Sequence, residues 1–154
     1  MILLTRNITS YSMDTEKLIG MLREKGVKVT PQRLAIYENI LANKEHPTVD
    51  QIYQEVQKKF PTLSLTTVYH TLHLLTKIEL LQELRCNNGI SRYEPNKTPH
   101  INIICQNCGA ISDYQSKNVE NFLLQLKKEL KTKLLGNHFE IQIICEKCRK
   151  QGLR

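Results

Sequence analysis

The chain of 154 residues contains no run of eighteen apolar residues, so the ordinary membrane-spanning helix is excluded. A signal peptide is missing too. The opening Met1-Ile2-Leu3-Leu4-Thr5-Arg6 has too short an apolar core and no cleavage-site pattern. The expectation is a soluble chain that stays in the cytoplasm, where thiols remain reduced, with no membrane partner. Internal repeats and low-complexity segments are also lacking, which leaves out solenoids and biased tails. What remains is one ordinary domain or two small ones, and small domains often need a staple such as a metal.

The net charge of +7 suits a nucleic-acid partner, but its distribution does not single one out. Residues 13–95 carry 11 Lys and Arg against 10 Asp and Glu, whereas residues 96–154 carry 10 against 5. The surplus lies in the second half. Periodicity is more informative than charge. Residues 1–12 show none and read as a disordered arm, with Met13 a second possible start; Asp14 reads as the cap of a first helix carrying Leu18, Met21 and Leu22 and ending near Gly26. Thr30-Pro31 opens a second helix with Leu34, Tyr37, Ile40 and Leu41 on its apolar stripe. His46-Pro47 breaks it. Thr48-Val49-Asp50-Gln51 is a capping box for a third helix with Ile52, Tyr53 and Val56 inward, closed by Pro61.

Ser64 caps a fourth helix, with Leu65, Val68, Leu72 and Leu75 on one face and Thr66, Tyr69, His70, His73 and Lys77 on the other. Two strand-like runs follow, Leu80–Cys86 and Ile90–Glu94, joined through Asn87-Asn88-Gly89, where Asn-Gly favours a type I′ turn. Helices followed by a hairpin make a winged helix-turn-helix, over residues 13–94. Residues 95–99, with two prolines, read as a hinge. Beyond it, Ile101–Cys105 and Ala110–Tyr114 read as strands, Ser116–Leu135 as a helix with Val119, Phe122, Leu123, Leu126 and Leu130 on one side, and Phe139–Cys145 as a strand. The expected class is α+β, with a second α/β domain over residues 100–154.

Cysteine carries the firmest chemistry. Cys105 and Cys108 form one Cys-x2-Cys pair, and Cys145 and Cys148 another. Two such pairs complete a closed tetrahedral thiolate shell with no position left for water, which is the pattern of structural zinc, Zn2+. The competing reading is a pair of redox motifs, a zinc-ribbon thiol oxidoreductase. Cys86, without a sequence partner, reads as a small strand residue. A second, open set flanks the hinge: His46, Glu94, His100, Asn102 and Asp113. His100 and Asn102 alternate on one strand and so share a face. Imidazole and carboxylate donors suit exchangeable iron, manganese, zinc or nickel, although each residue alone reads more often as a surface polar group than as a ligand.

With these landmarks together, Val29-Thr30-Pro31-Gln32-Arg33, His46-Pro47-Thr48, Ser64-Leu65-Thr66-Thr67-Val68-Tyr69, His100 before Cys105 and both cysteine pairs, the chain resembles the ferric uptake regulator family of metal-dependent repressors. Within it, Asp113 makes the peroxide-sensing repressors the nearest likeness. The resemblance covers Leu18 to Cys148. It implies a homodimer on double-stranded DNA with a palindromic operator, a regulatory Fe2+ or Mn2+ held at His46, Glu94, His100, Asn102 and Asp113, and DNA contacts from Lys28, Arg33, Thr66, Thr67, Tyr69 and His70. It implies no enzyme. Three positions depart from the pattern the resemblance implies for peroxide sensors: Glu94 stands where that subfamily has aspartate and iron-uptake members have glutamate, Asn102 where histidine is usual, and His70 where arginine or asparagine is usual. The implied mechanism is metal closing the two units about the hinge, with sensing of metal abundance as the alternative to peroxide.

Overall fold

A computed structural model describes residues 9–43, 45–86, 89–95, 98–131 and 138–152. The described elements run α1 (Thr9–Glu24), α2 (Pro31–Ala42), α3 (Val49–Gln57), α4 (Leu65–Lys77), β1 (Leu81–Arg85), β2 (Ser91–Pro95), β3 (His100–Cys105), β4 (Ile111–Tyr114), α5 (Lys117–Leu130), β5 (His138–Ile143) and α6 (Glu146–Lys150). The class is α+β, with the winged-helix arrangement first and the α/β unit second.

Capping residues set the helix starts. Thr30 accepts from the Arg33 amide with Pro31 in the first turn of α2, and Thr48 and Gln51 form a reciprocal capping box on α3. Ser64 caps α4 by accepting from the Thr67 amide. Against expectation, α1 begins at Thr9, so Asp14 lies inside it rather than capping it, and part of the supposed arm is helical. No glycine or proline lies between Thr9 and Leu18, so nothing stops the helix propagating back from the anchored turns. Residues 1–8 lie outside the described residues, as do the turn residues Asn87 and Asn88, the hinge residues Asn96 and Lys97, and positions 132–137, which include the last four of the expected long helix.

Leu18, Leu22, Ile36, Tyr37, Ile40, Ile52, Val56, Val68, Leu72 and Leu75 pack one core with Leu81 and Tyr93 of the hairpin. Ile36, absent from the expected stripe, is fully buried, whereas Leu65, at the first turn of α4, is 37% exposed. α4 therefore buries Val68, Thr71, Leu72 and Leu75 and leaves Thr66, Tyr69, His70 and His73 to solvent. β1 and β2 pair antiparallel, Leu81 opposite Pro95 through Arg85 opposite Ser91.

The second sheet has the order β4-β3-β5. β3 pairs antiparallel with β4 and parallel with β5, so α5 is the crossover that a parallel connection demands. Among described residues beyond the hinge, the buried apolar set is small: Ile104, Cys105, Val119, Leu123 and Cys148. Phe122, Leu130 and Ile141 are about half exposed. α6 went unanticipated, although Glu146 in its first turn and Lys150 in its last match the helix dipole and pair at 2.7 Å.

Candidate metal centres and nucleic-acid face

The parallel register of β5 with β3 sets Ile143 opposite Cys105, which delivers the second cysteine pair beside the first. Sγ of Cys105 lies 3.9 Å from that of Cys148, and Sγ of Cys108 lies 3.8 Å from that of Cys145. A tetrahedral ion with metal–sulfur bonds near 2.3 Å has sulfur–sulfur edges of about 3.8 Å. All four ligand atoms lie within 4.8 Å of one another. The backbone N–H of Cys145 donates to Cys105 Sγ at 3.3 Å, and with amides from the first knuckle this lowers the Cys105 thiol to about 6 against the opposing effect of burial. Burial and the neighbouring sulfurs push Cys148 up to about 12. Four thiolates cannot share this volume without a cation, and the donor set fits zinc.

The open site is assembled by the loop carrying His46 and by strands β2, β3 and β4. His46 has φ +51, a conformation uncommon for a side-chain-bearing residue and disfavoured before proline. It is held there from β2: Arg92 Nη1 donates to the His46 carbonyl at 3.1 Å, and the Tyr93 amide donates to the Pro47 carbonyl at 3.1 Å. This pinning sets His46 Nε2 at 2.9 Å from Glu94 Oε2. His100 Nε2 lies 3.2 Å from the same oxygen. Asp113 Oδ1 lies 3.1 Å from His46 Nε2, because Asp113 faces Asn102 across the β3–β4 register and directly opposed residues share a sheet face. His46, Glu94 and His100 are 5–7% exposed and Asn102 is fully buried. All five expected residues therefore converge.

Burial would raise the Glu94 carboxyl, but hydrogen bonds with His100, His46 and Asn102 and the His100 charge outweigh it and hold the group at about 2. The hydrogen bond with Glu94 raises His100 to about 9, against burial and with help from the Thr98 carbonyl and the Asp113 charge. The His100 imidazolium balances the charge of the Glu94 carboxylate. Asn102 enters differently from the others: its Nδ2 donates to Glu94 Oε1 at 3.1 Å, and its Oδ1 is buried with no hydrogen-bond partner. The two imidazoles and two carboxylates fit a borderline divalent cation.

On the outer face of α4, Tyr69 is 50% exposed and borders a cleft with His70, His73, Thr48 and the hairpin residues Ile90 and Tyr93. Burial, then the Glu83 charge, raises the Tyr93 hydroxyl to about 12, so it stays neutral. Thr66 is exposed, but Thr67 is half-buried and its hydroxyl lies 2.8 Å from that of Ser64, engaged at the cap. Lys28 is exposed, and Arg33 donates to the Lys28 carbonyl. Cys86 is buried in the hairpin and belongs to neither cluster. Sequence reasoning missed Arg92, whose anchoring of His46 depends on strand pairing that no local pattern displays.

A winged-helix unit and a second unit that meet at a cluster of imidazoles and carboxylates, together with a four-cysteine cluster, define a metal-responsive transcription regulator. The chain belongs to the ferric uptake regulator family, whose family model matches residues 24–142. It is 33% identical over 150 residues to the peroxide-responsive repressor PerR of Staphylococcus epidermidis, covering 97% of this chain and 99% of that protein. Among solved structures, it is similar to the Campylobacter jejuni peroxide stress regulator (TM-score 0.67, 30% identity, 85% of this chain and 98% of that one). The Helicobacter pylori ferric uptake regulator shares the fold at TM-score 0.74 and 23% identity, over 94% of this chain and 97% of its own. These relatives are regulators, and no described helix is long and apolar enough to cross a membrane.

Proposed function

We propose that the protein is a metal-dependent, DNA-binding repressor of peroxide-stress or metal-homeostasis genes. The observation that carries the reading is the convergence of His46 and Glu94, from the winged-helix unit, on His100 and Asp113, from the second unit. A divalent Fe2+ or Mn2+ held by those donors would tie the two units together, and only the closed form would satisfy the whole ligand set. Binding then shifts the population toward that form. Cys105, Cys108, Cys145 and Cys148 would hold Zn2+ permanently and keep β3 and β5 in register.

A homodimer is the state in which two α4 helices reach two half-sites of a palindromic operator. The half-exposed Phe122, Leu130 and Ile141 are the apolar surface that a second copy would cover. Tyr69, Thr66 and His70 would meet base edges, with Lys28 and Arg33 on phosphate. Ferrous iron, when bound, would give one electron to hydrogen peroxide, and a ligand imidazole, His46 or His100, would take up the resulting hydroxyl oxygen and return one electron to the ferric ion. The test is operator binding titrated with each divalent metal, with and without peroxide, followed by intact mass. Metal-independent operator binding would end the reading; metal-dependent binding with unmodified His46 and His100 after peroxide leaves metal abundance as the signal. Glu94, found at this position in iron-uptake members, favours that second reading.

A further inference from the structure

We infer that Asn102 is a positioning residue of the hinge site and not a ligand: its amide holds one oxygen of Glu94 and leaves a centre of His46, Glu94, His100 and Asp113. The inference rests on the metal-dependent reading of that site. Glu94 Oε2 faces both imidazole Nε2 atoms, at 2.9 and 3.2 Å, while Oε1 faces Asn102 Nδ2 at 3.1 Å. An ionised carboxylate only accepts. The amide must therefore present its NH2 to Glu94, because the reversed amide would set a carbonyl oxygen against a carboxylate oxygen. An amide NH2 has no lone pair to offer a cation.

Two further observations fix the arrangement. Asn102 is fully buried in the central strand of the β4-β3-β5 sheet, so its side chain has no solvent to swing into. Its Oδ1 has no hydrogen-bond partner among the described residues, so the Nδ2–Glu94 contact is the hydrogen bond that orients the amide. The consequence is chemical. Glu94 contributes a single oxygen, and the centre has two nitrogen and two oxygen donors, without the third imidazole that histidine at this position would add. Carboxylate-rich sets lean toward manganese, whereas imidazole-rich sets suit zinc, copper, iron and nickel. Asn102 thereby sets selectivity through Glu94.

The test uses full-length protein that retains its four-cysteine zinc, titrated with Co2+ as spectroscopic probe and with Mn2+. Asn102→Asp removes the donor and sets a second carboxylate beside Glu94, so both affinities should fall about tenfold or more, as for other outer-sphere partners. A ligand at 102 would instead bind more tightly as aspartate, and tighter binding by N102D overturns the inference. Asn102→Ala should weaken binding yet keep the position and intensity of the Co2+ visible band, whereas Asn102→His should change that band by adding a nitrogen donor. A changed band in N102A also overturns the inference. Should N102D lose its structural zinc, and so fail to fold, the N102A band decides alone. Wild-type protein that binds neither Co2+ nor Mn2+ beyond its zinc would remove the metal-dependent reading itself, which separates that failure from a failure at Asn102 alone.

Discussion

Cys148→Ser perturbs the second unit where it has least in reserve. Among described residues beyond the hinge, the buried aliphatics are Ile104, Val119 and Leu123. At about 1.5–3 kcal/mol each, they contribute roughly 5–9 kcal/mol together. Structural zinc in small domains contributes on the order of 10–16 kcal/mol, which makes the ion the largest single stabilising contribution there. Breaking one ligand bond should therefore unfold residues 100–152 near room temperature. The helical unit, with its larger shared core, should persist. Amide hydrogen exchange followed by mass spectrometry reads both units at once. Protection should vanish in β3, β5 and α5 and survive in α2, α3 and α4. Retained protection across β3 and β5 in zinc-free C148S would refute the reasoning, because it would mean that this small core is stable without the ion.

The hinge site makes its own pH prediction. His100, raised from about 6.5 to about 9 by Glu94, stabilises the metal-free fold fully below about pH 6.5, and that contribution is lost as pH rises through about 9. Glu94, lowered from about 4.5 to about 2, contributes above about pH 4.5 and loses its contribution as pH falls through about 2. An incoming divalent ion must displace the His100 proton, so Mn2+ affinity should rise up to about tenfold per pH unit between about 6.5 and 9. Calorimetry in buffers of different ionisation enthalpy should find about one proton released per ion near pH 7.5; none released would contradict the protonated His100. Thr48→Ala removes the capping box and should cost about 1 kcal/mol in urea unfolding, while an unchanged midpoint would deny the cap any role. Tyr69→Ala should weaken operator binding about tenfold and leave nonspecific DNA binding nearly intact, as gel shifts on specific and scrambled duplexes would show.

Local chemistry determined much of this protein by itself. Thr30-Pro31, Thr48 with Gln51, and Ser64 announce three helix starts, because a side-chain oxygen three residues before an orphan amide acts without help from the rest of the fold. Both cysteine pairs declare their ion through spacing alone, since a tight turn suffices to place two sulfurs. The start of α1 and the short α6 were less legible, because anchoring of neighbouring turns decides where a helix frays. The hinge site stood in the sequence only as five scattered polar residues. Tertiary structure decided their meaning: Arg92 and Tyr93 clamp the loop of His46 to β2, and the β3–β4 register sets Asp113 beside Asn102. It also decided which neighbour Asn102 meets. A sequence position can say which donors a residue owns, but only packing says which neighbour they face, and here the amide faces Glu94.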